Sequence, residues 1–371
     1  MNSPVAEKQI PLLARVLAFG LALLLVLGVP LSLLAFDGWR VVFNPPLLKR
    51  VLADEAVNHD LLPVALEWFS DHRAQERVTQ GEALTGLREP DIVLLMSFLD
   101  REDWRQIKAE VLPPDIVGAW VTTTVDGAYA WLDSADRVPQ ITWEIQPFKD
   151  RVNSEHGVNA IVIAYDNLPP CTQTEIDDFQ ARLAAAPSGA EVLYNLCEFP
   201  APWHEDQFND YVSALHKVTD NIPAQFALTR ELAQIPDNPQ GVGPEWLKQQ
   251  LRLMRLVGQW AWLAPLALIG LVALLAVRSM RQLGRWVGVP VLIGGLLALL
   301  PTLVYRSLIT GLLSVGALSE VPELVIQEAT RAILRLAAAV FQPLLIQAVI
   351  FMLLGVGLVI WYRFRRPAAQ A

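Results

Sequence analysis

The residues that could do acid–base or metal chemistry are few in this chain, and most stand apart. The densest group is Trp203-His204-Glu205-Asp206-Gln207-Phe208-Asn209-Asp210. On a helix, His204 lies near Gln207 and Phe208, and Asp206 near Asp210, because residues three and four apart share a face. Zinc hydrolysis asks for paired histidines, as in His-Glu-x-x-His, and no second histidine is in register. The group therefore reads as a solvated helix start whose acids sit at the positive end of the helix dipole. An enzyme would need His204, Glu205 and Asp210 to converge in a deep pocket. His59-Asp60 and His156 are isolated and read as structural. Gly-x-Ser-x-Gly, Walker and Rossmann patterns are missing, so nucleophilic and phosphate chemistry have no motif and no cofactor or metal is expected. No basic block with interleaved aromatics points to nucleic acid.

The elements that must position these residues are set by four apolar runs, at roughly 12–36, 257–277, 286–306 and 339–362. Each is close to the roughly 20 residues that cross about 30 Å of hydrocarbon. None holds an acid well inside it, and Gln259, Thr302, Gln342 and Gln347 are its main polar side chains. Ion-coupled carriers use buried ionisable groups, so this poverty argues against a secondary transporter. Gln342 and Gln347 are expected to make hydrogen bonds between helices. The first run is longer than a leader's apolar core and lacks a small-x-small cleavage site, so it reads as a retained anchor.

Between the second and third runs lies Arg278-Ser279-Met280-Arg281-Gln282-Leu283-Gly284-Arg285, with three arginines and no acid. With four spans, this loop shares a face with both termini, which carry Lys8, Arg15, Arg363, Arg365 and Arg366 against Glu7 alone. That face has a surplus of +7. The whole chain is −9, so everything else sums to −16. Short loops rich in Lys and Arg stay cytoplasmic. Arg278, Arg281, Arg285, Arg363, Arg365 and Arg366 are thus the topology-setting residues. The expected layout is a cytoplasmic N-terminus and first span (1–36), an extracytoplasmic domain (37–256), two spans joined by the arginine loop (257–306), an outer amphipathic connection (307–338), and a last span with a cytoplasmic tail (339–371).

A composition of 53% hydrophobic residues with a mean hydropathy of +0.35 fits that split. The outer domain is long enough for its own core. Its pattern is mostly helical: from Leu47, from Leu61, after Pro90-Asp91, around Trp104 to Val111, after Pro113-Pro114-Asp115, after Pro147, after Thr172 with its Thr-x-x-Glu capping box, and over Trp203–Val218. Val138–Ile145 alternates as a half-buried strand, Val192–Cys197 is a second strand candidate, and Ile161–Tyr165 suits either a helix or a strand. Proline-rich 234–244 reads as a linker, and Glu245–Leu256 as a helix entering the second span. In 307–338, Val321, Leu324, Val325, Ala329, Ala332, Ile333 and Leu336 share a helical face opposite Glu323, Glu328, Arg331 and Arg335. The fold class is a mainly α membrane protein of four transmembrane helices with an α-rich α+β outer domain. Cys171 and Cys197, an even pair in an oxidising place, are expected to form a disulfide. Gly284-x-x-x-Gly288 would allow close helix approach and is the sequence's one hint of a dimer.

The layout resembles a group of uncharacterised bacterial membrane proteins with a leading anchor, a large outer domain and three trailing spans. Leu112-Pro113-Pro114-Asp115, Leu168-Pro169-Pro170-Cys171 and Val277-Arg278-Ser279 carry the likeness. The group implies no activity. The topology is also similar to that of FtsX/MacB-type permeases, which work with an ATPase, although 278–285 is short for the coupling segment such a partner needs. The function expected is ligand binding, sensing or scaffolding by the outer domain, without catalysis; a permease-like subunit of an ABC-type complex is the alternative. The partners to expect are the lipid bilayer and an envelope protein or a second copy.

Overall fold

The computed structural model describes residues 12–79, 91–186, 194–234, 243–277, 280–314 and 323–364. In chain order the helices are α1 (Leu12–Val42), α2 (Pro45–Asn58), α3 (Leu61–Thr79), α4 (Ile92–Met96), α5 (Arg101–Val111) and α6 (Pro114–Asp133). Strand β1 (Thr142–Glu144) precedes α7 (Gln146–Val152), α8 (Glu155–Asp166), α9 (Gln173–Ala185) and α10 (His204–Asn221). Strand β2 (Gln225–Ala227) precedes α11 (Leu228–Gln234), α12 (Pro244–Trp260), α13 (Leu263–Ala276) and α14 (Met280–Leu283). A π-helical turn, Gly284–Gly288, then leads into α15 (Val289–Ser314), and α16 (Glu323–Phe364) is last. Two compact units form: Lys49–Pro236 with Ser319–Ala329, and Met1–Leu48 with Asp237–Leu318 and Thr330–Ala371.

The polar unit is built from capped helices. Asp100 accepts hydrogen bonds from the backbone of Glu102 and Asp103, and Asp103 answers by accepting from the Asp100 amide at 2.9 Å. Thr172 and Glu175 close the same kind of box at α9, as their spacing predicts. The segment after Pro147 is two helices rather than one. The break at Asn153-Ser154 holds because the Ser154 side chain caps α8 through the His156 amide. Gly157 is required there, since a Cβ would stand 1.8 Å from the Val152 carbonyl oxygen. Ile161–Tyr165 is helical, within α8. Leu95, Leu99, Trp104, Ile107 and Ile161 close the core over Tyr165 and Tyr211.

The β structure differs from expectation. Only Thr142–Glu144 of the expected 138–145 strand is extended, and its partner is Gln225–Ala227, antiparallel, with Trp143 opposite Phe226. Upstream, the Ile141 amide donates to the Thr229 hydroxyl at 2.8 Å instead of to a strand. In the second candidate, 192 and 193 lie outside the described residues; the rest, through Cys197, is not a strand. The neighbouring Glu198 makes one isolated bridge, to Pro170.

Among the described residues, three helices are long and apolar enough to cross a bilayer: Arg15–Val42, Gly284–Leu312 and Val325–Trp361. α12 and α13 add a fourth span if the pair, bent by 49°, counts as one. The expected 257–277 helix is therefore broken, at Ala261-Trp262. Pro265, in the first turn of α13, has no N–H for the Ala261 carbonyl, and its ring excludes that carbonyl. The other apolar boundaries also move. α1 runs six residues past 36, carrying Asp37 with it. α16 is one 42-residue helix with no joint at 338/339. Glu328, expected on the exposed face, is 7% exposed, whereas Ile333 of the expected apolar face is 42% exposed.

Within the bundle unit, α1, α15 and α16 approach through glycines. A Cβ on Gly295 would lie 2.8 Å from the Met352 amide nitrogen, and one on Gly355 would lie 2.6 Å from that of Leu292. A Cβ on Gly294 would stand 3.0 Å from Val29. Small residues let backbones meet where water supplies no driving force. Gly288 belongs to this set, its missing side chain covered by Leu358 of the same chain at 2.9 Å. Leu303, Leu312 and Leu274, each more than 70% exposed, face outward as they would toward lipid.

Candidate functional site

In the polar unit, α2 ends at Asn58 and α3 begins at Leu61, and this corner meets α5. A cleft of about 400 Å³ lies there, lined by Val57, His59, Asp60, Arg105, Lys108 and Leu112 among others. Arg105 grips Asp60 with two parallel bonds, Nε to Oδ1 at 2.8 Å and Nη2 to Oδ2 at 2.6 Å. Its remaining nitrogen, Nη1, donates to Glu102 at 2.6 Å. The bonds from Arg105 hold the Asp60 carboxyl below the usual carboxylate range. Lys108 is only 7% exposed, and burial pushes its ammonium group below the ordinary lysine value. Its Nζ donates to the carbonyl oxygens of Val57 at 2.6 Å and His59 at 3.3 Å. An ammonium has three hydrogens, so one stays uncommitted. With Arg105 already held by two carboxylates, the spare Lys108 hydrogen is what the cleft offers to an anionic or carbonyl oxygen.

The residues first considered for chemistry are not gathered here. His204 is half-exposed, stands 3.4 Å from Glu198 and lies edge-on to Tyr165. Glu205 and Asp210 are exposed, and among the described residues no three His, Cys, Asp or Glu side chains form a metal-holding group. His59 contributes its carbonyl to the Lys108 cleft, and its ring stands 3.6 Å from Asp54. His156 bonds Glu110 at 2.6 Å, which holds the Glu110 carboxyl low.

Cys171 and Cys197 face each other at disulfide-bonding distance, their Cα atoms 4.9 Å apart, beside Phe179 and Phe199. Next to them is a polar junction absent from the sequence reading. Gln207, fully buried, donates to the carbonyls of Cys197 at 2.8 Å and Asn195 at 3.2 Å. Its Oε1 accepts from the Tyr165 hydroxyl at 2.6 Å and the Phe199 amide at 3.1 Å. Burial raises the Tyr165 hydroxyl to about 12, so it stays a donor at any physiological pH.

Of the topology arginines, Arg278, Arg365 and Arg366 lie outside the described residues. Arg281 falls in α14, where only the backbone is described, while Arg285 and Arg363 are exposed. Of the span polar groups, Gln259 and Gln342 are exposed, and the Thr302 hydroxyl donates to the Leu299 carbonyl at 2.6 Å. Gln347 bonds between helices, as expected, but its partner is Asp37, at 2.9 Å. Comparison with protein-family models, with curated proteins and with solved structures finds no match.

Proposed function

We propose that this chain is a multi-pass membrane protein with both termini in the cytoplasm, and that its polar unit lies outside as a binding, sensing or scaffolding domain without catalytic chemistry of its own. The Lys108 cleft carries the reading: a buried ammonium with one donor to spare, beside an arginine already neutralised by Asp60 and Glu102, fits recognition of a carboxylate or carbonyl group. The arginine-rich segments on one side of the apolar runs, the net charge of −16 elsewhere and the Cys171–Cys197 pair support the orientation.

Thermal unfolding of the detergent-solubilised full chain tests the cleft, with sodium succinate as probe against sodium chloride at equal ionic strength. Succinate is expected to raise the midpoint in the wild type and to leave Lys108→Met unmoved. An equal shift in both proteins would remove the cleft from the proposal. Protease added to intact spheroplasts tests the orientation: the polar unit should be cut from outside, and protection until lysis would reverse the topology.

A further inference from the structure

We propose that Asp37 and Gln347 form a proton-binding site inside the apolar bundle, with the proton on the Asp37 carboxyl. Asp37 is 1% exposed, on α1, one residue past the point where an apolar-run reading ends. The Gln347 amide donates to its Oδ1. The other oxygen of each group, Asp37 Oδ2 and Gln347 Oε1, is buried and has no hydrogen-bond partner. One proton on the acid would serve both of these orphan acceptors. A planar acid and a planar amide already joined by one hydrogen bond close the second when the acid is protonated. The ionised form would instead set three acceptor oxygens around a single donor, with a net charge in an apolar bundle.

Among the described residues, no cation neutralises that charge by contact. Arg40, a turn further along α1, is the charged group that acts on Asp37, but its guanidinium lies over the Phe36 ring, 5.7 Å from the centroid. Among the described residues, α12, α13, α15 and α16 bring no charged group to bear on Asp37. Gln347 stands 16 residues before Arg363, a rise of roughly 24 Å along α16. In the proposed orientation this puts the site in the outer part of the membrane. α13, packed on α1 with Leu268 against Gly28, begins at a break in the helix path, the kind of interruption tolerated where backbone is covered by protein. Loss of the proton removes a bond joining α1 to α16 and leaves a charge there, so protonation is coupled to the packing of these two helices.

The test is labelling of the full chain in native membranes with dicyclohexylcarbodiimide, which adds to protonated carboxyls in apolar surroundings, mapped by peptide mass spectrometry. The expected result is an adduct on Asp37 that falls about tenfold per pH unit once the proton has left and that is indifferent to sodium replacing choline. Suppression by sodium at fixed pH would overturn the proton in favour of a metal cation. Infrared spectra of wild type and Asp37→Asn supply the second measurement. A protonated-carboxyl stretch at neutral pH that is missing in the variant supports the site; no adduct together with no such band would overturn it.

Discussion

Gln207→Met removes four hydrogen bonds and little volume, which makes it a clean test of what holds the disulfide corner of the polar unit. The side chain has no exposed surface, and Tyr165 and Phe199, whose hydroxyl and amide donate to it, are each only 1% exposed. An orphaned buried donor costs about 1–3 kcal/mol, and an under-satisfied carbonyl less. Two donors at about 1.5 kcal/mol and two carbonyls at about 0.5 kcal/mol each give on the order of 4 kcal/mol, the four acting as one coupled set. Tyr165→Phe takes away a single donor while Gln207 Oε1 keeps the Phe199 amide, so its cost should be about 1 kcal/mol. Hydrogen exchange by mass spectrometry on the full chain in detergent reads this locally, in peptides covering 194–211. Protection there should fall about a thousandfold in Gln207→Met and about fivefold in Tyr165→Phe, as 1.4 kcal/mol is a factor of ten. Equal losses in the two variants would refute the claim that the amide serves four partners at once.

The cysteine pair should yield no free thiol in the native protein and two after reduction under denaturing conditions. With a sequence separation of 26, the chain-entropy model assigns the link about 3.5 kcal/mol, so reduction should visibly speed exchange in the same peptides; native thiols that react with Ellman's reagent would contradict the pairing. At the Lys108 cleft, the Asp60 carboxyl is held low by Arg105. A depressed carboxyl stabilises above its unfolded value of about 3.9 and loses that contribution as the pH falls through its folded value. Wild type should therefore loosen at α3 and α5 below about pH 4, and Arg105→Gln should show a shallower acid response there; identical responses would mean the Asp60–Arg105 pair contributes nothing.

The local parts of the fold were legible because short-range chemistry decides them. Thr172 with Glu175, Pro113-Pro114-Asp115, and the corner at Asn58-His59-Asp60 each act within a turn, and the helices follow them. β2 was not legible, since Gln225-Phe226-Ala227 is three residues long and exposed throughout, leaving no alternation to read. The expected strand at 138–145 was too long for a related reason: Ile141 is 3% exposed because its side chain packs against Gly127 of α6, while its amide goes to Thr229, 88 residues away, and not to a continuing ladder. Gln207 gave no signal at all. Its four partners come from α8 and from the segment between Asn195 and Phe199, and a glutamine in a helix written as polar looks like any solvated one.

Asp37 shows where hydropathy misleads most consequentially. An apolar run ends at its first acid by construction, so the reading stops at Phe36 and finds spans with no acid well inside them. In the proposed orientation, a helix that stopped there would strand four carbonyls within the membrane, without water to bond them. α1 therefore continues to Val42 and buries the acid it was supposed to exclude. The argument against a secondary transporter rested on that exclusion, and the buried carboxyl removes its premise. What remains is a bundle whose helices meet through glycines at Gly294, Gly295 and Gly355, and which buries an acid paired with an amide. In such tight packing a carboxyl has little room to find a new partner, so the state of a single proton decides whether α1 and α16 stay joined at that point.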